Sequence, residues 1–242
     1  MKVISKHNEN LFYSIIGLPG SGTTLMSRVM NSIDGSSSLS DPLRSMISTL
    51  TNERLSEDNF EKPITNFMDG YITYAKSSKN EKILGIKEYF SPLPSRTNQK
   101  INTSVGRSDF IIFMLRDPLS NYNDWKRKVS QDKVKRYGNH IIFKLMYSQY
   151  LRTYEMIKND TKCILIKYED LCHNFSSEWL NEKFDGYLEF EGSLNGLKPL
   201  MGMGDIEAKS SYKINEPYYG IENLNPKEIM DISKLKNKYN EV

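Results

Sequence analysis

The chain has 242 residues, of which 38% are hydrophobic and 26% charged, enough to form one α/β domain with a substantial core. Its net charge of +3 is too small to indicate nucleic-acid binding, and no apolar stretch has the length of a membrane-spanning helix. The N-terminus lacks the apolar segment of a secretory signal, and only two cysteines are present. We therefore expect free thiols, a single domain over residues 1–242 and a cytoplasmic location.

The most informative stretch runs from residue 11 to residue 30. Its apolar start predicts a buried parallel strand, and its end predicts a helix with apolar residues at Leu25, Met26, Val29 and Met30. Between the two, Gly17, Gly20 and Gly22 permit a tight turn, so successive N–H groups can point into one concavity at the helix N-terminus. A turn of this kind favours the binding of phosphate or sulfate.

The loop has the spacing of a phosphate-binding P-loop, but Thr23 occupies the position of the P-loop lysine. A kinase without that lysine lacks the positive charge that contacts the transferring phosphate. The segment PGSGTTL instead resembles the 5′-phosphosulfate loop of the sulfotransferases that use 3′-phosphoadenosine 5′-phosphosulfate (PAPS), a family in which the position of Gly20 usually holds Lys or Arg. The residues that this resemblance assigns to the cofactor are Gly20, Ser21, Gly22, Thr23, Thr24 and Leu25.

A second informative place is the short apolar run at residues 82–87, which predicts a strand that ends in Lys87 and Glu88. Charges at the carboxyl end of a central parallel strand lie where open α/β sheets bind ligands. Sulfotransferases often have a lysine here that touches the sulfonate, with the base on or near the same loop. The resemblance therefore implies that Lys87 and Glu88 are catalytic, with Tyr89 where the cytosolic branch has its histidine. The alternative is an ordinary solvated ion pair.

The strongest buried strand is predicted at residues 109–115, and it leads into Arg-Asp-Pro at residues 116–118. Asp followed by Pro is typical of a helix start, which gives Asp117 the role of a cap. An arginine at the end of a core strand can hold an anion through two parallel N–H groups. Arg116 is therefore a candidate anion ligand, and a structural ion pair with an acidic side chain is the alternative.

Arg-Asp-Pro also resembles the second sulfotransferase motif, which holds the 3′-phosphate of the nucleotide through its arginine and a serine about two turns later. The resemblance implies that Arg116 binds this phosphate. Eight residues after Arg116 the chain has Asp124 in place of the serine, and a carboxylate there would repel a phosphate. The candidates to bind the 3′-phosphate in place of that serine are Ser120 and the cations Lys126 and Arg127.

Two later segments add to the resemblance. A strand predicted at residues 161–167 runs into Tyr-Glu-Asp-Leu, a sulfotransferase motif whose tyrosine lies near the adenine, which implies a nucleotide contact for Tyr168. In the family, a basic glycine-containing loop near the C-terminus closes over the 3′-phosphate. The equivalent region here, residues 202–213, offers Lys209, Ser210, Ser211 and Lys213.

Turn chemistry and apolar spacing predict the other elements. Residues 31–40 are expected to form a polar turn, and Asp41 and Pro42 to start a helix that ends at about Leu50. Further amphipathic helices are expected after Pro63, from Asn139 to Lys158, from Glu178 to Phe184 and after Asn225, with a short strand at residues 186–191. No histidine or cysteine spacing predicts a metal site.

Together these patterns predict a P-loop-type, three-layer α/β/α fold with a central parallel sheet of four to five strands. The resemblance implies a sulfotransferase that moves a sulfonate group from PAPS to a hydroxyl or amine acceptor, a small molecule or sugar rather than a protein. Two alternatives remain: a kinase with a degenerate P-loop, and a module that binds adenosine bisphosphate without catalysis.

Overall fold

The computed structural model describes residues 1–6, 9–43, 61–79, 82–89, 106–131, 139–159, 163–194, 196–197 and 220–242. Its strands are β1 (Lys2–Ser5), β2 (Leu11–Gly17), β3 (Ser36–Ser40), β4 (Ile83–Tyr89), β5 (Phe110–Leu115), β6 (Cys163–Lys167) and β7 (Leu188–Glu191). Its helices are α1 (Thr23–Asn31), α2 (Glu61–Ser77), α3 (Pro118–Gln131), α4 (His140–Ile157), α5 (Tyr168–Asn174), α6 (Ser177–Lys183), α7 (Pro226–Ser233) and α8 (Lys236–Glu241).

Five strands form a parallel sheet in the order β3-β4-β2-β5-β6. All seven residues of β2 and all six of β5 are buried, because both faces of the sheet are covered. One face packs against α1, α5 and α6, and the other packs against α2, α3, α4, α7 and α8. The chain is therefore a three-layer α/β/α protein, and the predicted fold class is confirmed.

The edge strand β3 lies within residues 31–40, where the sequence predicts a polar turn, so that prediction is wrong. The segment is rich in serine, and the structure pairs its hydroxyl and amide groups with α1. The Oγ atoms of Ser27 and Ser38 are 2.5 Å apart, and the Ser38 N–H donates to Asn31 Oδ1 at 2.5 Å. Since polar contacts rather than apolar burial hold this strand, hydrophobic periodicity does not reveal it.

The short strand predicted at residues 186–191 is present, and it lies outside the main sheet. Its observed part, β7, pairs with β1 in an antiparallel two-stranded sheet, with Val3 opposite Phe190. These two side chains are buried in the same core cluster as α1 and α6. The small sheet therefore covers one margin of the first helical layer.

The helices mostly follow the sequence prediction, with caps where the sequence suggests them. Asn139 Oδ1 accepts from the Ile141 N–H at the start of α4, and Asn225 and Glu228 form a capping box at the start of α7. Ile141 and Leu145 fit the helical spacing of apolar residues in α4, but they are 55% and 67% exposed. Among the described helices, none is both long and apolar enough to cross a membrane.

We expect Gly85→Ala to destabilise the sheet, because a Cβ at Gly85 would lie 2.5 Å from the ring of Tyr13. That ring is fully buried and stacked on Phe110 with 5.5 Å between centroids, so it cannot move aside. Overpacking of this kind costs about 1–3 kcal/mol. The matched control is Gly70→Ala on α2, where a Cβ meets no atom within 4 Å.

Urea unfolding of both variants tests this expectation. Gly70→Ala should raise the free energy of unfolding by about 0.5–1 kcal/mol, since alanine favours a helix interior over glycine. Equal stability of the two variants would contradict the packing of Tyr13 over β4.

Candidate functional site

The loop between β2 and α1, residues 18–22, is called the glycine loop here. It lies at the carboxyl edge of the sheet, where open α/β folds bind ligands. Gly20 and Gly22 have φ angles of 84° and 95°, a left-handed conformation that glycine adopts without strain. The Ser21 N–H donates to Leu18 O at 3.0 Å and closes the turn.

The glycine loop leaves hydrogen-bond donors at the start of α1. Gly22 caps this helix and offers no side chain to the N–H groups of the first turn, which have no partner within the helix. Ser21 is 1% exposed, and its Oγ has no hydrogen-bond partner among the described residues. A buried hydroxyl in that state indicates a missing acceptor, so loop and hydroxyl together form a candidate anion nest.

Two side chains from the β5–α3 unit hold the outer carbonyls of the glycine loop. Arg116 donates from Nη1 to Gly20 O at 2.8 Å, and Asn121 donates from Nδ2 to Pro19 O at 2.7 Å. Arg116 is 5% exposed and Asn121 is fully buried, so both donor side chains lie inside the protein, and their acceptor residues Pro19 and Gly20 are half-buried. They bind the carbonyl oxygens of the loop, and the N–H groups at the start of α1 take no part in these contacts.

Tyr168, the first residue of α5, covers the glycine loop from the β6 side. A Cβ on Gly22 would clash with its ring, and the Arg116 guanidinium carbon lies 4.4 Å from the ring centroid. Burial raises the pKa of Tyr168 above its usual value, and the opposing effect of Arg116 does not cancel this, so the phenol stays neutral. The structure thus brings Tyr168 and Arg116 together at the loop.

Ser120 is buried on the first turn of α3 and its Oγ donates to Asp117 Oδ1 at 3.2 Å. The same carboxylate oxygen accepts from the N–H groups of Leu119 and Ser120, which confirms Asp117 as the helix cap. The Asp117 N–H in turn donates to Glu169 at 3.0 Å. Ser120 thus helps to fix the start of α3, and its hydroxyl is directed to this cap.

Asp124 lies one turn further along α3 and faces the glycine loop. A Cβ on Gly20 would stand 2.8 Å from its Oδ2 atom. The same oxygen lies 3.7 Å from Arg116 Nη1, while Oδ1 accepts from Arg127 at 2.9 Å. Arg116, Asn121, Asp124 and Tyr168 form what we call the Arg116 cluster.

On the other side of the glycine loop, Lys87 lies near the end of β4 with its ammonium group buried. Its Nζ lies 2.6 Å from Asp41 Oδ2, and the two side chains are 3% and 2% exposed. Lys87 shares its sheet face with Ile83, which packs against α1, so the pair lies on the α1 face. Lys87 and Asp41 form what we call the Lys87 cluster.

Asp41 is held in an unusual backbone conformation. Its φ angle is 53°, the left-handed region, which L-residues other than Asn and Asp rarely adopt. Its N–H donates to Lys87 O at 2.7 Å, and its Oδ1 atom is buried with no hydrogen-bond partner among the described residues. A strained residue with a buried acceptor beside a buried cation is a common feature of functional sites.

Glu88 is 2% exposed and lies on the opposite face of β4 from Lys87. Its Oε1 accepts from the Leu43 N–H at 2.6 Å. The rest of the helix predicted from Asp41 and Pro42 to about Leu50 lies outside the described residues. The catalytic role of Glu88 stays a prediction, and Asp41 is the carboxylate that contacts Lys87 directly.

The other residues predicted to contact the cofactor differ in their exposure. Thr23 is 6% exposed at the start of α1, whereas Thr24 is partly exposed beside it. Leu25 is partly buried and packs against the core below the loop, so its side chain is turned toward protein. Ser210 and Ser211 lie outside the described residues.

Sequence reasoning missed Asp41 and Asn121 as parts of the site. Asp41 was interpreted only as a helix cap before Pro42, and its contact with Lys87 follows from the pairing of Ser40 with Lys87 between β3 and β4. Recognising β3 would therefore have been the signal. No sequence pattern predicts the role of Asn121, because its amide contacts Pro19 O, which lies far away in the chain.

The described residues fit one end of the PAPS nucleotide that the resemblance implies. The glycine loop, with the orphaned Ser21 hydroxyl, provides donors for a 5′-phosphate. The Arg116 guanidinium contacts Gly20 O and lies near Asp124. Among the described residues no group of three or more His, Cys, Asp or Glu is arranged to hold a metal ion.

Comparison with known proteins adds little to this geometry. No family model matches the chain, and no curated protein matches it either. A solved structure described as the crystal structure of APE1195 is 13% identical, covers 65% of this chain and 86% of that chain, and has a TM-score of 0.32. Because this likeness carries no functional argument, the class of protein follows from the coordinates: a three-layer α/β protein with a candidate anion nest at the carboxyl edge of its sheet.

We expect Gly22→Ala to destabilise the protein more than Gly186→Ala. Both glycines have positive φ angles, of 95° and 84°, so alanine costs about 1–2 kcal/mol of backbone strain at either position. Only at Gly22 would the new Cβ also collide with Tyr168, whereas at Gly186 it meets no atom within 4 Å. The added cost at Gly22 should be about 1–3 kcal/mol.

The free energy of unfolding of both variants, measured in urea, checks this difference. Truncating the ring in Gly22→Ala/Tyr168→Ala should remove the clash. If the double variant is destabilised by the full sum of the two single changes, Tyr168 does not pack on Gly22.

Proposed function

We propose that the protein transfers a sulfonate group from PAPS to a hydroxyl or amine acceptor. The observation that carries the proposal is the glycine loop between two clusters at the carboxyl edge of the sheet. The Lys87 cluster offers a buried cation and a buried carboxylate, with Glu88 on the other face of β4, and the Arg116 cluster offers a guanidinium and an aromatic ring. Such an arrangement supports anion binding at the centre, proton transfer on one side and nucleotide binding on the other.

In the proposed reaction the glycine loop binds the 5′ end of the donor. The N–H groups at the start of α1 and the Ser21 hydroxyl donate to the 5′-phosphate, whose negative charge is also favoured by the helix dipole. PAPS, when bound, supplies an activated sulfonate with the nucleotide as leaving group. Preorganised donors at this place stabilise the charge that develops there and cost no reorganisation.

The Lys87 cluster has the other two roles. The Lys87 ammonium, fixed at 2.6 Å from Asp41, adds positive charge on the β4 side of the loop. Asp41 or Glu88 accepts the acceptor's proton, and Asp41 is favoured because its buried Oδ1 atom still lacks a hydrogen-bond donor among the described residues. The acceptor is a hydroxyl-bearing small molecule or sugar that enters from this side.

Calorimetric titration with 3′,5′-adenosine bisphosphate tests the nucleotide site. We expect binding without magnesium that Arg116→Ala weakens about tenfold or more, because the change removes a charged hydrogen bond that shapes the loop. The matched control is Arg107→Ala, which removes a guanidinium bound to Asp69 and away from the loop. Magnesium-dependent binding of ATP in place of the bisphosphate would contradict the proposal and favour a kinase.

Asp41 can be tested through the pair that it forms with Lys87. Asp41→Asn tolerates the left-handed φ angle but strands a buried ammonium, which can cost about 3–5 kcal/mol of stability. The double variant Asp41→Asn/Lys87→Met removes both charges and should fold. We expect it to bind the bisphosphate as the wild type does, with transfer to an accepted acceptor reduced about a hundredfold or more.

A role of Asp41 and Lys87 in the reaction predicts that the double variant keeps its affinity for the bisphosphate and loses transfer activity. Circular dichroism establishes folding, calorimetry the affinity, and a labelled donor the rate of transfer. Retention of full turnover by the double variant would exclude both Asp41 and Lys87 from the reaction.

A further inference from the structure

The peptide group that joins Arg116 to Asp117 is held at both of its polar atoms by buried side chains. Tyr147 of α4 donates from its hydroxyl to Arg116 O at 2.8 Å, and the Asp117 N–H donates to Glu169 Oε1 at 3.0 Å. Tyr147 is fully buried and Glu169 is 9% exposed. Since this peptide lies between the last residue of β5 and the first residue of α3, the two side-chain hydrogen bonds fix its orientation.

Two residues of helix α8 contact the same junction. Tyr239 donates from its hydroxyl to Glu169 Oε2 at 2.9 Å, so one carboxylate bridges α8 and the Asp117 N–H. Lys236 Nζ lies 3.7 Å from Asp117 Oδ2, and Oδ1 of that carboxylate caps α3. The Tyr239 ring is itself placed by Lys167, the last residue of β6, whose Nζ lies 4.7 Å from the ring centroid. Helix α8 is therefore joined by polar contacts to the turn that carries Arg116.

Both tyrosines keep their protons at neutral pH. Burial raises the pKa of Tyr147 and the pKa of Tyr239 above the usual value, and the negative charge of Glu169 adds to the effect at both. Each hydroxyl is therefore available as a donor, to Arg116 O in one case and to the Glu169 carboxylate in the other.

Both contacts that hold the glycine loop start from this peptide. Arg116 donates to Gly20 O at 2.8 Å, and Asp117 caps helix α3, from which Asn121 donates to Pro19 O at 2.7 Å. A peptide free to rotate would shift the origin of both contacts, and the loop would have to be ordered when an anion binds. That ordering would subtract from the free energy of binding. The affinity of the loop for an anion therefore depends on how firmly the peptide is held.

We propose that Glu169 and Tyr239 are positioning residues of the candidate anion nest, and that they couple the docking of helix α8 to the affinity of the glycine loop through the Arg116–Asp117 peptide. The inference rests on the part of the proposed function that places an anion in the glycine loop, and it requires no particular orientation of a nucleotide. Both residues act from a distance, since their hydrogen bonds lead to Asp117 and not to the loop itself.

The experiment measures the binding of 3′,5′-adenosine bisphosphate and of inorganic pyrophosphate by calorimetry. Tyr239→Phe deletes one hydroxyl and should weaken the binding of both ligands about fivefold. Glu169→Ala leaves the Asp117 N–H without its acceptor and should weaken binding about tenfold or more. Glu169→Gln should stay within about threefold of the wild type, because its amide can still accept from the Asp117 N–H and donate to the Tyr239 hydroxyl oxygen.

Tyr122→Phe is the matched control, because it makes the same change at another buried tyrosine. The Tyr122 hydroxyl donates to Glu228 Oε1 at 2.8 Å and joins α3 to α7. Urea unfolding of this variant and of Tyr239→Phe should show similar losses of stability, whereas only Tyr239→Phe should lose affinity. In the Glu169→Ala background, Tyr239→Phe should cause no further loss of affinity, because its effect passes through Glu169.

The outcomes separate the inference from the proposed function. Unchanged affinity in Tyr239→Phe, or an equal loss of affinity in Tyr122→Phe, overturns the positioning role and leaves the proposed function standing; this comparison holds even if Glu169→Ala does not fold. A wild type that binds pyrophosphate but not the bisphosphate, with the same losses in the variants, supports the inference and contradicts the proposed function. A folded wild type that binds neither ligand at millimolar concentration overturns both.

Discussion

The rest of the site depends on two hydrogen bonds that fix the glycine loop to α3 and to the end of β5. The Pro19 and Gly20 carbonyls are bound by the buried side chains of Asn121 and Arg116, at 2.7 Å and 2.8 Å. A loop whose carbonyl oxygens are fixed in this way leaves its N–H groups for an anion. The left-handed angles at Gly20 and Gly22 are the backbone cost of that arrangement, and glycine makes the cost small.

The Lys87 cluster is stabilised differently, through buried charge. A buried ion pair is weak evidence for stability, because removing two charges from water costs about as much as their attraction returns. The Lys87–Asp41 pair also carries a left-handed Asp41 and a carboxylate oxygen without a donor among the described residues. Since a well-packed apolar pair would fold more easily, the arrangement is better explained by chemistry at the sheet edge than by stability.

The sequence was a good guide wherever burial follows a period. The apolar runs of β2, β4, β5 and β6 predicted four strands of the sheet, and Asp117 before Pro118 predicted the start of α3. It failed at β3, where serine hydroxyls pair with α1, and it therefore failed at Asp41, whose partner is reached only through β3. Contacts between segments distant in the chain, such as Asn121 with Pro19, have no local pattern to predict them.

The two places where the chain departs from the sulfotransferase pattern are in contact with each other. Gly20 stands where the family usually has a cation and Asp124 where it has a serine, and a Cβ at Gly20 would lie 2.8 Å from the Asp124 carboxylate. A side chain at residue 20 would have to displace that carboxylate, so Asp124 in this position is matched by the absence of a Cβ at residue 20. A loop without its own cation then relies on N–H dipoles and on Lys87 for positive charge. The N–H dipoles are fixed by Arg116 and Asn121 and need no reorganisation when charge develops. The missing cation therefore weakens the electrostatic stabilisation of the transition state at the proposed site but does not abolish it.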